Sequence, residues 1–138
     1  VSALESFQEK DYSGRRVLLV EDNELNTEVA MELLGVVGIQ VENEVNGRLA
    51  VNRLMEVEPG YYDLVFMDIQ MPVMDGYTAA AEIRACGRAD LKEIPIIAMT
   101  ADAFADDIKK AHNAGMNGHI SKPVDIGKLE KALQEWIR

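Results

Sequence analysis

Only one cysteine, Cys86, occurs in the sequence, so neither an internal disulfide nor a thiolate zinc cluster is available to hold the fold together. Positive charge is also scarce. Fourteen Lys and Arg stand against twenty-four Asp and Glu, and the resulting net charge of −10 repels both nucleic-acid backbones and anionic lipid surfaces. Direct nucleic-acid binding and membrane contact are therefore not expected. Long hydrophobic runs are missing too: no segment approaches the roughly 18 to 20 apolar residues that span a bilayer. Val1 to Ser6 has neither a basic flank nor an apolar stretch of the kind that begins a secreted chain. A cytoplasmic location is the expectation. What remains is a chain of 138 residues, 48% hydrophobic and 28% charged, enough for one domain with an ordinary apolar core and too short for two. It starts on Val rather than Met, which suggests a piece of a longer protein.

Residues 1–15 mix charge and polarity without a sustained period and read as a linker; residues 16–138 read as the folded domain. Val17-Leu18-Leu19-Val20, Leu64-Val65-Phe66-Met67 and Ile96-Ile97-Ala98-Met99 are short continuous apolar runs, the form of strands covered on both faces. Ile39-Gln40-Val41-Glu42 alternates and Gly118-His119-Ile120-Ser121 is only partly apolar, so both read as edge strands. Helical stripes lie between them. Leu25, Val29 and Leu33 follow a candidate cap at Asn23; further stripes are Ala50, Leu54 and Val57, then Phe104, Ile108 and Ala111, then Ile126, Leu129, Leu133 and Trp136. Five strands alternating with five helices predict an α/β, doubly wound parallel sheet with helices on both faces.

Such sheets bind ligands beyond the carboxyl ends of their strands. The polar residues delivered there are Glu21 and Asp22, then Asp68, Thr100 and Lys122. Three carboxylates at one rim repel one another and call for a cation. With oxygen donors only and no converging His or Cys, Mg²⁺ is favoured over zinc. A metal, the Lys122 ammonium and the Thr100 hydroxyl around the Asp68 carboxylate form a cage for a phosphoryl group, whose three equatorial oxygens each need a partner. Asp68 would be the nucleophile and would carry an acyl phosphate.

The segments Val-Leu-Leu-Val-Glu21-Asp22-Asn23, Met67-Asp68-Ile-Gln-Met71-Pro72-Val-Met74-Asp75-Gly76, Met99-Thr100-Ala101 and Ser121-Lys122-Pro123, all within Arg16 to Ile137, resemble the receiver domain of two-component response regulators. The resemblance implies a flavodoxin-like sheet of order 2-1-3-4-5. It implies that Asp68 is the phosphoacceptor and that Mg²⁺ is held by Asp22, Asp68 and the main-chain carbonyl of Gln70, with Glu21 acting through metal-bound water. Thr100 is similar to the family's switch hydroxyl, Lys122 to its phosphate-contacting lysine, and the Lys122–Pro123 bond is expected to be cis. His119 stands where many receivers carry a rotating Tyr or Phe. Asp102 occupies a position thought to tune acyl-phosphate lifetime. The motif style is most similar to receivers of hybrid sensor histidine kinases, which implies exchange with a histidine in a kinase core or a histidine phosphotransfer domain, docked on the first helix near Asn26 and Val29. Dimerisation is left open.

Other functions fit less well. A stand-alone single-domain response regulator shares every motif. A haloacid-dehalogenase-like phosphatase needs a second Asp two residues after its nucleophile, where Gln70 stands. A receiver-like module that only binds proteins would lack part of the acidic set, and a flavin site would need a Thr/Ser-rich loop after the first strand.

Overall fold

The computed structural model describes residues 11–101 and 105–137, so Asp102 and Phe104 lie outside the described residues. The elements run β1 (Arg16–Val20), α1 (Glu24–Val36), β2 (Gln40–Glu44), α2 (Gly47–Glu56), β3 (Leu64–Asp68), α3 (Gly76–Ala85), α4 (Ala89–Glu93), β4 (Ile96–Thr100), α5 (Ala105–Asn113), β5 (Gly118–Ser121) and α6 (Ile126–Trp136). All strand pairs are parallel and the order is β2-β1-β3-β4-β5, with the two expected edge strands at the edges.

Strand side chains alternate between two cores. Leu18, Val20, Val65, Met67, Ile96 and Ala98 face α2, α3, α4 and α5, meeting Ala50, Val51, Leu54, Ala79, Ala80, Ile83 and Ala111. Val17, Leu19, Leu64, Phe66, Ile97, Met99 and Ile120 face α1 and α6, meeting Ala30, Leu34, Leu129, Ala132 and Leu133. Each fully buried Leu or Ile contributes roughly 1.5 to 3 kcal/mol. No helix among the described residues is long and apolar enough to cross a membrane.

Two features differ from the sequence reading. Six helices are present among the described residues, not five, because Ala89–Glu93 forms a short helix without a side-chain cap. Five residues are too few to show a period; the buried Leu91 holds the turn down, and the Arg84 guanidinium donates to the Leu91 carbonyl at 2.9 Å. The face of α1 is also rotated from expectation. Ala30 and Leu34 are its buried residues, whereas Leu25 is 68% and Val29 40% exposed. A small residue lets the helix approach the sheet closely, and the larger aliphatics are left outside.

Four helices start on a carboxamide or carboxylate cap: Asn23, Asn46, Asp75 and Asp125 accept from the main-chain N–H of Asn26, Leu49, Thr78 and Lys128. These caps fix the start of each helix after a strand end or the loop that follows it. The chain ahead of β1 is tied to the sheet as well: Tyr12 donates its N–H to the Val37 carbonyl at 2.8 Å, and Gln40 donates to the Arg15 carbonyl at 3.0 Å.

Candidate functional site

Glu21 and Asp22 follow β1 directly, Asp68 ends β3, Thr100 ends β4 and Lys122 follows β5. Parallel register therefore delivers all five to the same end of the sheet. Their surroundings differ: Glu21 is 1%, Asp68 4% and Thr100 7% exposed, while Asp22 is open to solvent. They line one cleft with Asn26, Gln70 and Asp75.

Two ion pairs lie at the centre of the cleft. Lys122 Nζ lies 3.0 Å from Asp68 Oδ2 and 3.2 Å from Glu21 Oε2, so one ammonium bridges two buried carboxylates. Burial, joined by the neighbouring Glu21 carboxylate, pushes the Asp68 pKa up to about 6, with Lys122 pulling the other way. Burial also works against the Lys122 charge, but Asp68 and Glu21 outweigh it and hold the ammonium above its ordinary range. Gln70 donates its main-chain N–H to Asp68 Oδ1 at 3.3 Å. Glu21 is held from behind: its main-chain N–H donates to the Glu44 carbonyl at 3.0 Å, and its carbonyl accepts from Asn43 Nδ2 at 3.2 Å.

One carboxylate oxygen from each of Glu21, Asp22 and Asp68 lies within 4.8 Å of the others, a donor set of hard oxygens that suits a small divalent cation. The Lys122–Pro123 bond is cis, as expected.

The segment between Asp68 and α3 is tightly folded. Gly76 N–H donates to the Ile69 carbonyl at 2.8 Å, and Met74 N–H donates to the Pro72 carbonyl at 2.7 Å across Val73. That three-residue turn puts Val73 at φ 70°, a left-handed conformation that a β-branched residue rarely adopts. The Met74 carbonyl accepts from Gly47 N–H at 3.1 Å, which joins the loop to the start of α2.

Glu21, Asp22, Asp68, Gln70, Thr100 and Lys122 are thus gathered in one place. His119 is not: it is exposed on β5, opposite Ala98 in register, and lines a separate groove with Trp136 and Lys131. The sequence reading gave Asn26 only a docking role, yet its side-chain amide donates to Glu21 Oε1 at 2.8 Å. Its place in the first turn of a helix that begins four residues after a site strand was the available signal.

Comparison with known proteins agrees with this geometry. The family model described as the response regulator receiver domain matches residues 17–134. Hybrid signal transduction histidine kinase M of Dictyostelium discoideum is 40% identical over 122 residues, 88% of this chain and 5% of that protein. The osmosensing histidine protein kinase SLN1 of Saccharomyces cerevisiae is 36% identical over 132 residues, 93% of this chain and 10% of that one. The chain therefore spans a small fraction of the kinases it matches. Among solved structures, the receiver domain of sensor histidine kinase PA1611 from Pseudomonas aeruginosa PAO1, with magnesium coordinated in its active-site cleft, superposes with a TM-score of 0.80 at 38% identity, over 91% of this chain and 98% of that one. The co-crystal structure of the Saccharomyces cerevisiae phosphotransfer protein Ypd1 with the receiver domain of Ssk1 gives a TM-score of 0.80 at 34% identity, over 92% of this chain and 91% of that one. A buried aspartate paired with a lysine at the carboxyl edge of a 2-1-3-4-5 sheet, in a chain matched over most of its length, places this protein in the response regulator receiver domain family.

Proposed function

We propose that this receiver belongs to a hybrid sensor histidine kinase and takes a phosphoryl group from a phosphohistidine onto Asp68. The observation that carries the reading is the Lys122 bridge between the buried Asp68 and Glu21 carboxylates, with Asp22 beside them. Asp22, Asp68 and the Gln70 main-chain carbonyl would hold Mg²⁺, with Glu21 acting through a water rather than as a direct ligand. When bound, the cation offsets the carboxylate charges and the charge on the transferring phosphoryl oxygens.

In the transfer an Asp68 carboxylate oxygen forms a bond to phosphorus as the phosphorus–nitrogen bond of the phosphohistidine breaks, and the electron pair returns to the imidazole. Asp68 must be ionised to attack, so its raised pKa, in which the pull of Lys122 is already included, sets a lower limit to the useful pH, which a bound cation would extend downward. Lys122 meets one phosphoryl oxygen and the Thr100 hydroxyl another. His119 would report the change at β5, together with the adjoining face of α5 and α6. Asp102, outside the described residues, keeps its assigned influence on acyl-phosphate lifetime as part of the same reading.

The phosphodonor, a histidine kinase core or a phosphotransfer domain, docks on α1. Leu25 and Val29 face outward there and border a mostly apolar groove closed by Met99, Pro123 and Val124, continuous with Glu21 and Lys122. A partner helix seated in it would have its histidine next to Asp68. The domain runs over 16–138 and residues 1–15 lead into it, the whole lying on the cytoplasmic side of its parent chain.

Mass spectrometry after incubation with Mg²⁺ and acetyl phosphate tests the assignment. One phosphoryl adduct, lost in Asp68→Asn, is the expected result. An adduct that survives in Asp68→Asn overturns it.

A further inference from the structure

We propose that Asn26 is a positioning residue of the acidic site: its side-chain amide holds the Glu21 carboxylate in place for the cation, and continues to hold it when Lys122 turns to a phosphoryl group on Asp68. The proposal rests on the reading of Asp68 as the phosphoacceptor.

The Glu21 side chain is 2% exposed, so its oxygens depend on protein donors. Lys122 supplies Nζ at 3.2 Å to Oε2 and 3.4 Å to Oε1, and Asn26 Nδ2 supplies the shortest contact, 2.8 Å to Oε1. Lys122 is already divided, since it also reaches Asp68 Oδ2 at 3.0 Å. Its ammonium has three hydrogens. A phosphoryl group on Asp68 brings three further oxygens, and whatever Lys122 gives them it withdraws from Glu21. A buried carboxylate stripped of its donor is costly and free to swing. Asn26 prevents this with a neutral donor, which adds no charge to compete with Mg²⁺ for the carboxylates.

Both ends of the contact are fixed. The Asn26 main-chain N–H donates to the cap oxygen Asn23 Oδ1 at 2.9 Å, which sets the first turn of α1. Glu21 is pinned by its main chain to Glu44 and Asn43. The amide therefore acts between two immobile backbones. The cap bond uses the main chain of Asn26, so it survives replacement of the side chain.

Asn26→Leu keeps the approximate size and removes the donor. In the purified chain, calorimetric titration with Mg²⁺ is expected to show about tenfold weaker binding, the lower end of what loss of an outer-sphere partner costs. Phosphorylation by acetyl phosphate at subsaturating Mg²⁺ slows by a similar factor. In a Glu21→Met background, which keeps the length of the side chain and has no oxygen to accept the amide, the same substitution changes Mg²⁺ affinity by less than about twofold. Asn26→Ser, whose hydroxyl is too short to reach, repeats the result if the leucine variant folds poorly.

A purely surface role is the competing account. If Asn26→Leu leaves both Mg²⁺ affinity and the acetyl phosphate rate within about twofold of the parent, the positioning role is wrong. An equal loss in the Glu21→Met background also overturns it, since the effect would not pass through Glu21. Absence of any Asp68 adduct in the parent chain would instead be a failure of the underlying reading.

Discussion

Replacing Asp68 by Asn should stabilise the metal-free domain at neutral pH. Burial and the Glu21 carboxylate lift the Asp68 carboxyl from its ordinary 3.8 to about 6. A difference of that size costs the folded state about 3 kcal/mol once the group is ionised. The amide removes the penalty while keeping an oxygen for Gln70 N–H, and Lys122 keeps Glu21 at 3.2 Å. The Lys122 attraction across the 3.0 Å ion pair is already contained in that raised value; the amide still leaves Lys122 with a weaker acceptor than a carboxyl group in an adapted site, so a net gain of about 1 to 2 kcal/mol is expected. For a chain of this length the melting temperature rises by roughly 3 to 6 °C.

The sign follows from proton binding. Between about pH 4 and 6 the unfolded chain has lost the Asp68 proton and the folded chain retains it, so parent stability falls as pH rises through that window. Asp68→Asn lacks this slope. Calorimetric melts in chelator should therefore show the two proteins together near pH 4 and separated above pH 6. Excess Mg²⁺ binds the folded parent and narrows or reverses the gap, by about 2.7 kcal/mol at a hundred times the dissociation constant. A variant that melts at or below the parent at pH 7.5 in chelator would refute the electrostatic account of the rim.

Other substitutions test separate parts of the structure. Val73→Gly should raise stability by about 0.5 to 1 kcal/mol in urea titrations, since a left-handed valine costs about 1 to 2 kcal/mol and part of that relief is lost to the greater freedom of unfolded glycine. Val73 is 82% exposed, so little packing is lost; an unchanged midpoint would mean that the turn relaxes at no cost. Gly76→Ala brings a Cβ onto the Asp68 carbonyl and within 2.9 Å of Ile69 Cα, and should lower stability by about 2 to 3 kcal/mol and slow phosphorylation by acetyl phosphate. Val29→Glu should slow transfer from a phosphohistidine donor about tenfold or more, the effect of about 1.4 kcal/mol lost at an apolar contact. Its acetyl phosphate rate should stay near that of the parent; equal slowing would place the docking surface elsewhere.

How far the sequence alone reveals the molecule depends on what each element must bury. β1, β3 and β4 are covered on both faces, so their unbroken apolar runs announce them; β3 and β4 end on a site residue and β1 runs directly into one, because the sheet core stops there. Asp68, Glu21 and Lys122 were legible as a group for the same reason: parallel strands bring their carboxyl ends together whatever their separation in sequence. The short α4 was not, because its position is decided by Leu91 and the Arg84 guanidinium rather than by a period. On α1, hydropathy ranks Leu25 and Val29 above Ala30, but the sheet selects for close approach and buries the alanine. The bond from Asn26 to Glu21 depends on the angle at which α1 leaves β1, so the place of Asn26 in the first turn signals nearness to the site but not the contact itself. The displaced aliphatics then carry information of their own. A helix that satisfies the core with Ala30 and Leu34 has no internal use for an exposed Leu25 and Val29, and their place beside the Lys122–Pro123 turn puts that apolar surface where the proposed phosphodonor would approach.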